Sequence, residues 1–103
     1  MTKVSVVIPT YNEELAIVEN LRLLFEALST WGSDWEVVLV NDGSTDKTLS
    51  LVQNIAKREN RLRILSYQKN RGRGFALKTG FQSARGEYII ATESDLNWGA
   101  DIV

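Results

Sequence analysis

Short runs of apolar, mostly β-branched residues alternate with segments of helical period along nearly the whole of this 103-residue chain. The apolar runs lie at 4–8, 35–40, 63–66 and 87–92, and the helical segments lie at 13–29, 47–58 and 75–84. Continuous apolar strands are typical of a sheet that is buried on both faces. Alternation at this spacing requires right-handed crossovers and a parallel sheet. The pattern predicts an α/β fold in the order β1-α1-β2-α2-β3-α3-β4.

Residues at the element boundaries refine this prediction. Pro9 is expected to stop β1, because proline has no N–H for the sheet. Asn12 is expected to cap α1, with Glu13 and Glu14 in its first turn. Gly86 is expected to end α3 in a left-handed conformation. We expect the bare edge strands of this sheet to be covered by self-association or by a C-terminal partner.

Size and composition exclude several classes of protein. At 11.6 kDa the chain forms one domain, 1–103, and it contains neither cysteine nor histidine. Disulfides, thiolate metal sites and the usual neutral-pH general base are therefore excluded. No stretch has the ~20 apolar residues that span a bilayer, and residues 1–10 do not form a signal peptide. We expect a cytoplasmic protein, or one that is peripheral at the cytoplasmic face of the membrane.

Nine of the twelve Lys and Arg residues lie between positions 57 and 85, where Glu59 is the one acid, so this basic segment has a formal charge of +8. They are Lys57, Arg58, Arg61, Arg63, Lys69, Arg71, Arg73, Lys78 and Arg85. Such a segment forms either a solvated face or a surface for phosphate or nucleic acid.

Polar residues directly follow three predicted strands, at 9–13, 41–46 and 93–97. Ligands of open parallel sheets bind beyond the carboxyl ends of the strands, where the strand order reverses. The first loop puts an aromatic ring, Tyr11, at a helix N-terminus, where a nucleobase could rest; alternatively, its polar residues only cap the helix.

The second loop joins a strand-end carboxylate, Asp42, to a glycine that permits close approach. Asp42 could accept the imide N–H of uracil or the N–H groups of guanine, although an ordinary turn is the alternative. We interpret Ser44, Thr45 and Asp46 as caps for α2.

The third loop carries two carboxylates, Glu93 and Asp95, directly after β4. Mg²⁺ and Mn²⁺ prefer such oxygen ligands. The glycine-rich stretch 70–74 precedes α3, so its amides and guanidiniums, including that of Arg71, could cradle a diphosphate. It matches neither the dinucleotide-binding nor the P-loop pattern.

Four blocks together resemble the N-terminal, nucleotide-binding half of family 2 inverting glycosyltransferases. They are VSVVIPTYNEE at 4–14, EVVLVNDGSTDKT at 36–48, NRGRGFALKTG at 70–80 and ARGEYII at 84–90. The resemblance covers essentially the whole chain, and the segments 70–74 and 93–97 look most like the polyprenyl-phosphate (dolichyl-phosphate) hexosyltransferases.

The resemblance implies a GT-A fold, with a Rossmann-like sheet of strand order 3-2-1-4. This fold would bind a nucleoside diphosphate sugar, a UDP- or GDP-hexose, through Mg²⁺ or Mn²⁺. It places Pro9, Tyr11 and Glu13 in the nucleoside pocket, and Val40 and Asp42 against base and ribose. It also places Glu93 and Asp95 at the metal, with Ser94 touching the donor. A polyprenyl phosphate is the implied acceptor, and the bound cation would neutralise the leaving diphosphate.

Two departures from the family pattern bear on activity. Glu93 stands where the family has aspartate, and the chain ends at Val103, before the family's catalytic base and acceptor segment. We therefore assign no catalytic residue and expect residues 1–103 alone not to transfer sugar at a useful rate. A non-enzymatic nucleotide-binding or protein-interaction module is the alternative. Nucleic-acid binding is disfavoured, because it leaves the three strand-end loops unexplained.

Overall fold

The computed structural model describes residues 2–92. In chain order the elements are β1 (Val4–Thr10), α1 (Ile17–Ser29), β2 (Trp35–Asp42), α2 (Thr48–Ala56), β3 (Leu62–Tyr67), α3 (Arg73–Ser83) and β4 (Tyr88–Ala91). The four strands form one parallel sheet in the order β3-β2-β1-β4. The predicted α/β fold, its element order and the strand order 3-2-1-4 are confirmed.

The central strands β1 and β2 are covered on both faces, and their successive residues point alternately to the two sides. On one face, Val6 and Leu39 belong to a buried cluster that α1 and α2 complete. On the other face, Val7 and Val40 pack against α3 around Ala76. This arrangement explains why the strands are continuously apolar.

β1 is longer than expected, since it runs through Pro9 to Thr10 instead of ending at Ile8. The carbonyl of Val7 accepts a hydrogen bond of 3.0 Å from the Thr92 N–H, so this residue and those two positions away turn their backbone groups toward β4. The nitrogen of Pro9 therefore lies on the β4 side, beyond the last described pairing of these strands at Val7. The missing N–H of Pro9 removes no described hydrogen bond between β1 and β4, so proline is tolerated here.

The prediction that Asn12 caps a helix beginning at Glu13 is wrong. α1 begins at Ile17, whose N–H bonds the Glu13 carbonyl in a preceding turn, and no side chain caps it. Asn12 instead adopts a positive φ of 51°, and its Oδ1 accepts the N–H groups of Thr45 at 2.8 Å and Asp46 at 3.3 Å. Asn12 Oδ1, which the local sequence pattern predicts to cap α1, thus accepts hydrogen bonds from the neighbouring loop instead.

Gly86 does not have the predicted left-handed conformation. α3 ends at Ser83, and Ala84 continues in an extended conformation. Gly86 is not among the described glycines with positive φ, but a Cβ there would lie 2.7 Å from the backbone nitrogen of Ser5. Close approach of two backbones, and not helix termination, requires glycine at this position.

The basic segment is only partly a solvated face. Arg63 donates to the buried Glu36 carboxylate at 2.8 Å and to Ser83, and it connects β3 with α3. The guanidinium of Arg61 lies 4.8 Å from the ring centroid of Trp35. Two of these cations, Arg61 and Arg63, therefore stabilise the fold.

β4 is exposed along its length, and Tyr88, Ile89 and Ile90 are its large exposed residues. The expected covering of the sheet edges by a second copy or a partner stays a prediction. Within residues 2–92, no helix has the length and apolarity required to cross a membrane.

Candidate functional site

The carboxyl ends of three strands lie side by side at one edge of the sheet. Thr10 of β1 pairs with Asn41 of β2, and Asp42 pairs with Tyr67 of β3. Because β1 lies between β2 and β4, the strand order reverses next to it. This is the position at which doubly wound sheets form their ligand crevice.

Asp42 holds the glycine-rich loop against this edge. Its Oδ1 accepts the N–H of Arg71 at 2.9 Å, and its Oδ2 accepts the N–H of Gly72 and the side-chain amide of Asn70, both at 3.0 Å. The Asn70 amide also donates to the Asp42 carbonyl at 3.1 Å. With 4% exposure, the Asp42 carboxylate is a buried acceptor for three N–H donors of residues 70–72.

The approach of the two loops depends on glycine at two positions. Gly43 has a φ of +72°, and a Cβ there would lie 2.3 Å from the backbone nitrogen of Asn70. Gly72 has a φ of +97°, which directs its N–H at the carboxylate. Residues other than glycine adopt these two backbone conformations only at a cost in energy. Gly43 and Gly72 together therefore allow the loop at 70–72 to approach Asp42.

Aromatic rings lie beneath this loop. The ring of Tyr67 meets that of Phe75 edge to face at 5.4 Å, and the Arg71 guanidinium lies 5.2 Å from the Phe75 centroid. The Tyr67 hydroxyl is buried beside the Asp42 carboxylate. Burial raises the pKa of Tyr67, and the adjacent Asp42 carboxylate raises it further, so this hydroxyl stays protonated.

Hydrogen bonds also join the loops that follow β1 and β2. The Asn12 N–H donates to Ser44 Oγ at 2.9 Å, and the Glu13 N–H donates to Thr48 Oγ1 at 2.8 Å. The Lys47 N–H donates to the Glu14 carboxylate at 3.0 Å. Together with the bonds of Asn12 Oδ1, these contacts hold the two loops as one unit.

None of the three residues predicted to cap α2 is its N-cap, which is Lys47 and makes no side-chain cap hydrogen bond, but Asp46 bonds the first helical residue. Asp46 Oδ1 accepts the N–H of Thr48 at 2.9 Å and the Thr48 hydroxyl at 2.5 Å. Desolvation opposes ionisation, but these hydrogen bonds and the one from the Glu14 N–H lower the pKa of Asp46. Ser44 and Thr45 instead bond to Asn12, so their capping assignment is wrong.

The predicted nucleoside residues differ in accessibility. Tyr11 presents a ring with 45% exposure at the edge of the sheet, and Glu13 is half-buried behind it. Pro9 is buried within β1. Val40 is fully buried against α3, because its side chain points to the sheet face that α3 covers. The Val40 side chain therefore belongs to the core. It could contact a ligand only from the face of the sheet that α3 covers.

The predicted metal residues Glu93 and Asp95, and Ser94 between them, lie outside the described residues. The chain is described as far as Thr92, whose hydroxyl oxygen is buried without a partner in this part of the chain. Within residues 2–92, no group of three or more acidic, histidine or cysteine side chains could hold a metal ion.

Sequence reasoning missed three residues that organise the site: Asn12 as a brace, Asn70 as a partner of Asp42, and Tyr67 beneath the loop. Asn70 precedes a glycine in a loop, a pattern typical of side-chain to backbone hydrogen bonds. Tyr67 directly ends β3, opposite Asp42. Only the strand order makes these positions neighbours of Asp42.

The fold and the polar edge define a Rossmann-like α/β domain whose candidate site lies at the carboxyl ends of its strands. Its family follows from comparison with known proteins. The model of glycosyl transferase family 2 matches residues 5–101, and the chain belongs to this family. The resemblance inferred from the four sequence blocks is confirmed.

Two curated proteins are similar to this chain in sequence. The chain is 41% identical over 100 residues to a dolichyl-phosphate beta-glucosyltransferase of Saccharomyces cerevisiae, an alignment that covers 88% of this chain and 29% of the relative. It is 39% identical over 94 residues to an undecaprenyl-phosphate 4-deoxy-4-formamido-L-arabinose transferase of Pseudomonas paraeruginosa, covering 90% and 28% respectively. The chain thus spans less than a third of the length of these relatives.

Solved structures show the same architecture. The mannosyltransferase PcManGT of Pyrobaculum calidifontis, in complex with GDP-Man and Mn²⁺, is 33% identical with a TM-score of 0.78 over 90% of this chain and 27% of that chain. TarS of S. aureus in complex with UDP is 33% identical with a TM-score of 0.77 over 91% and 28%. These similarities confirm the GT-A type of fold.

Proposed function

We propose that this chain binds a nucleoside diphosphate hexose at the carboxyl edge of its sheet, as the donor-binding part of a family 2 glycosyltransferase. The observation that carries the proposal is the set of strand-end loops joined around Asp42 and Asn12 in a chain of this family. The relatives and solved structures with UDP or with GDP-Man and Mn²⁺ support this ligand class.

Each site residue has a role in the proposal. Tyr11 stacks on the nucleoside at the exposed edge, with Pro9 and Glu13 behind it. Asp42 contacts the base or ribose, above the buried Val40. The guanidinium of Arg71 faces the diphosphate, together with N–H groups of its loop other than those of Arg71 and Gly72, which Asp42 accepts. Ser94 touches the donor.

Glu93 and Asp95 fit a divalent cation by their chemistry, since Mg²⁺ and Mn²⁺ prefer carboxylate oxygens and use substrate phosphates as further ligands. When bound, such a cation would neutralise charge on the diphosphate. These residues follow Thr92, which is described at the end of β4 beside β1. The Mn²⁺ in the mannosyltransferase structure supports the same assignment.

We extend the proposal to a polyprenyl phosphate acceptor, because two relatives are named for dolichyl or undecaprenyl phosphate. Such an acceptor resides in a membrane, so the protein would act at the cytoplasmic membrane face. A non-enzymatic module that retains only nucleotide binding is the second candidate, favoured by the glutamate at position 93. Arbitrary nucleic acid fits less well, because Arg61, Arg63 and Arg71 are engaged within the fold.

Calorimetric titration with UDP and GDP in Mn²⁺ tests the proposal. Asp42→Ala removes a charged acceptor and should weaken binding of the preferred nucleotide by about 1.5 to 3 kcal/mol, roughly tenfold to a hundredfold. Asp34→Ala, at an exposed aspartate just before β2, is the matched control and should bind normally. Unchanged affinity of Asp42→Ala with an intact circular dichroism spectrum would contradict the assignment.

A further inference from the structure

We infer that the outer face of α3, the face turned away from the sheet, is a docking surface for an anionic lipid bilayer. The inference deepens the proposed function and rests on it, because it takes the acceptor to be a lipid phosphate in a membrane. It also gives a role to exposed cations of the basic segment, of which the proposed donor site uses only Arg71. Two exposed aromatic rings and the positive charge around them carry the inference.

α3 places both of its phenylalanines toward solvent. The face that packs on the sheet carries the small buried residues Ala76 and Gly80. Phe75 and Phe81 are 44% and 43% exposed. A surface helix ordinarily turns its large apolar residues toward the core and its polar residues toward water. The outer face of α3 therefore presents apolar rings to a second surface.

The two rings lie on one side of the helix with a lysine between them. At about 100° per residue, Phe75 and Phe81 are about 120° apart around the helix axis, and Lys78 lies midway between them. Lys78 is exposed, and so is the neighbouring Gln82. This arrangement suits the interface of a bilayer, because the rings can enter the acyl boundary while the long lysine side chain keeps its ammonium group among the headgroups.

The charge around this face is positive along the whole length of α3. Residues 60–86 contain no acid. Five exposed cations lie in α3 or next to its ends: Lys69, Arg71, Arg73, Lys78 and Arg85. Two acids of β2, Asp42 and Glu36, approach the ends of α3, but they are 4% and 5% exposed and accept hydrogen bonds within the fold. The outer face therefore attracts anionic headgroups, and each cation near such a surface raises the affinity about fivefold.

The position of α3 relative to the candidate site favours a bilayer over a nucleic acid. The N-terminal end of α3 adjoins the loop that Asp42 holds at the carboxyl edge of the sheet. The helix has 11 residues and is about 16 Å long. When α3 lies on a bilayer, the carboxyl edge stands at the rim of the contact, where a lipid phosphate among the headgroups can meet the donor.

Flotation with vesicles tests the inference on the 103-residue chain without nucleotide. The chain should float with vesicles of phosphatidylcholine and phosphatidylglycerol in equal amounts, but not with vesicles of phosphatidylcholine alone. Inorganic phosphate at constant ionic strength should not displace it, because free phosphate offers no apolar boundary. Absence of binding, displacement by phosphate, equal binding to neutral vesicles, or tighter binding to duplex DNA than to the anionic vesicles would overturn the inference.

Two variants test whether α3 makes the contact. Lys78→Glu should weaken binding to the anionic vesicles about twentyfold, because it replaces one cation by an anion, and Phe81→Ala should weaken it about tenfold. Lys57→Glu and Trp31→Ala are the matched controls, since they alter an exposed lysine and an exposed ring outside α3. Equal weakening in the variants and the controls would overturn the assignment to α3. If Phe81→Ala does not fold, Lys78→Glu and its control decide the matter.

Calorimetric titration with UDP and GDP in Mn²⁺ separates this inference from the proposed function. Normal nucleotide affinity in a chain that does not bind anionic vesicles would overturn the inference alone. Vesicle binding through α3 by a chain that binds neither nucleotide would support the docking surface and overturn the proposed donor site.

Discussion

At the scale of single residues, Glu36 shows how a carboxylate can be buried in β2. It is 5% exposed and accepts hydrogen bonds from Ser5 Oγ at 2.6 Å, Arg63 Nε at 2.8 Å and the Arg85 N–H at 2.7 Å. Burial by itself raises the pKa of Glu36, but these hydrogen bonds together with the charge of Arg63 lower it below its usual value. The ion pair is retained because every partner is satisfied.

We predict that Glu36→Gln destabilises the fold by about 3 kcal/mol near neutral pH, because Arg63 loses its countercharge. A group whose folded pKa is lowered contributes stability above its unfolded pKa and loses it as pH falls through the folded pKa. The difference between parent and variant should therefore shrink in acid. Urea unfolding at a series of pH values measures it.

Glu26→Gln is the control for this prediction, since Glu26 also pairs with an arginine, Arg22, but on the exposed side of α1. Glu26→Gln should lower the free energy of unfolding by no more than about 1 kcal/mol. Equal losses in the two variants, or a difference that does not depend on pH, would show that the buried network is not the cause.

At the scale of elements, the loop after β1 depends on Asn12. Its positive φ favours asparagine or glycine, and its Oδ1 accepts two N–H groups of the neighbouring loop. This brace, the pair of hydrogen bonds that Asn12 Oδ1 accepts, holds Tyr11 and Glu13 in place. Nothing in the local sequence indicates either of these two hydrogen bonds.

Substitutions at Asn12 should separate conformation from hydrogen bonding. Asn12→Gly keeps the backbone freedom and loses the acceptor, so hydrogen exchange at the Thr45 and Asp46 amides should accelerate with a stability loss of about 1 kcal/mol. Asn12→Ala adds left-handed strain of about 1 kcal/mol. Exchange measured by NMR or mass spectrometry checks this, and unaltered protection of both amides in Asn12→Gly would refute the brace.

The packing of α3 on the sheet depends on Gly80. A Cβ at this position would lie 2.3 Å from Cγ1 of Val7 and 3.2 Å from Cγ2 of Val40. Valine is stiff and both neighbours are fully buried, so the helix itself must move to admit a methyl group.

We predict that Gly80→Ala lowers stability by about 1 to 3 kcal/mol despite the better helix propensity of alanine. Gly74→Ala, in the same helix with open space around it, should be neutral or stabilising by up to about 1 kcal/mol. Thermal unfolding of the pair checks this. A stabilised Gly80→Ala would mean that α3 is not packed as closely as described.

At the scale of the whole molecule, three loops from distant parts of the chain meet at one edge of the sheet. Binding of a nucleotide and of a divalent cation at that edge would be thermodynamically linked, so each should raise the affinity of the other by the same factor.

We predict that Mn²⁺ tightens nucleotide binding and that Asp95→Ala abolishes this linkage. Calorimetry with and without Mn²⁺ measures it, with Asp34→Ala as the control that keeps the linkage. Nucleotide affinity that is indifferent to EDTA in the parent chain would remove the metal assignment, while nucleotide binding itself would stand.

The resemblance to family 2 glycosyltransferases indicated the strand order, whereas the alternation of apolar runs and helical segments determined the fold class and the element order. These follow from local patterns, because continuous apolar strands require two covered faces and right-handed crossovers leave few topologies. The motif blocks determined the family, since they occur together and span most of the chain.

Only the tertiary structure decided where α1 begins, why Gly86 is glycine and what surrounds Asp42. Asn12 bonds a residue 33 positions away, Asp42 one 28 positions away, and Gly86 one 81 positions away. Local propensity carries no information about such partners. A side chain that can cap its own helix can instead bond a distant N–H when the folded sheet brings that group closer, because backbone donors need acceptors and the folded structure decides which acceptor is near.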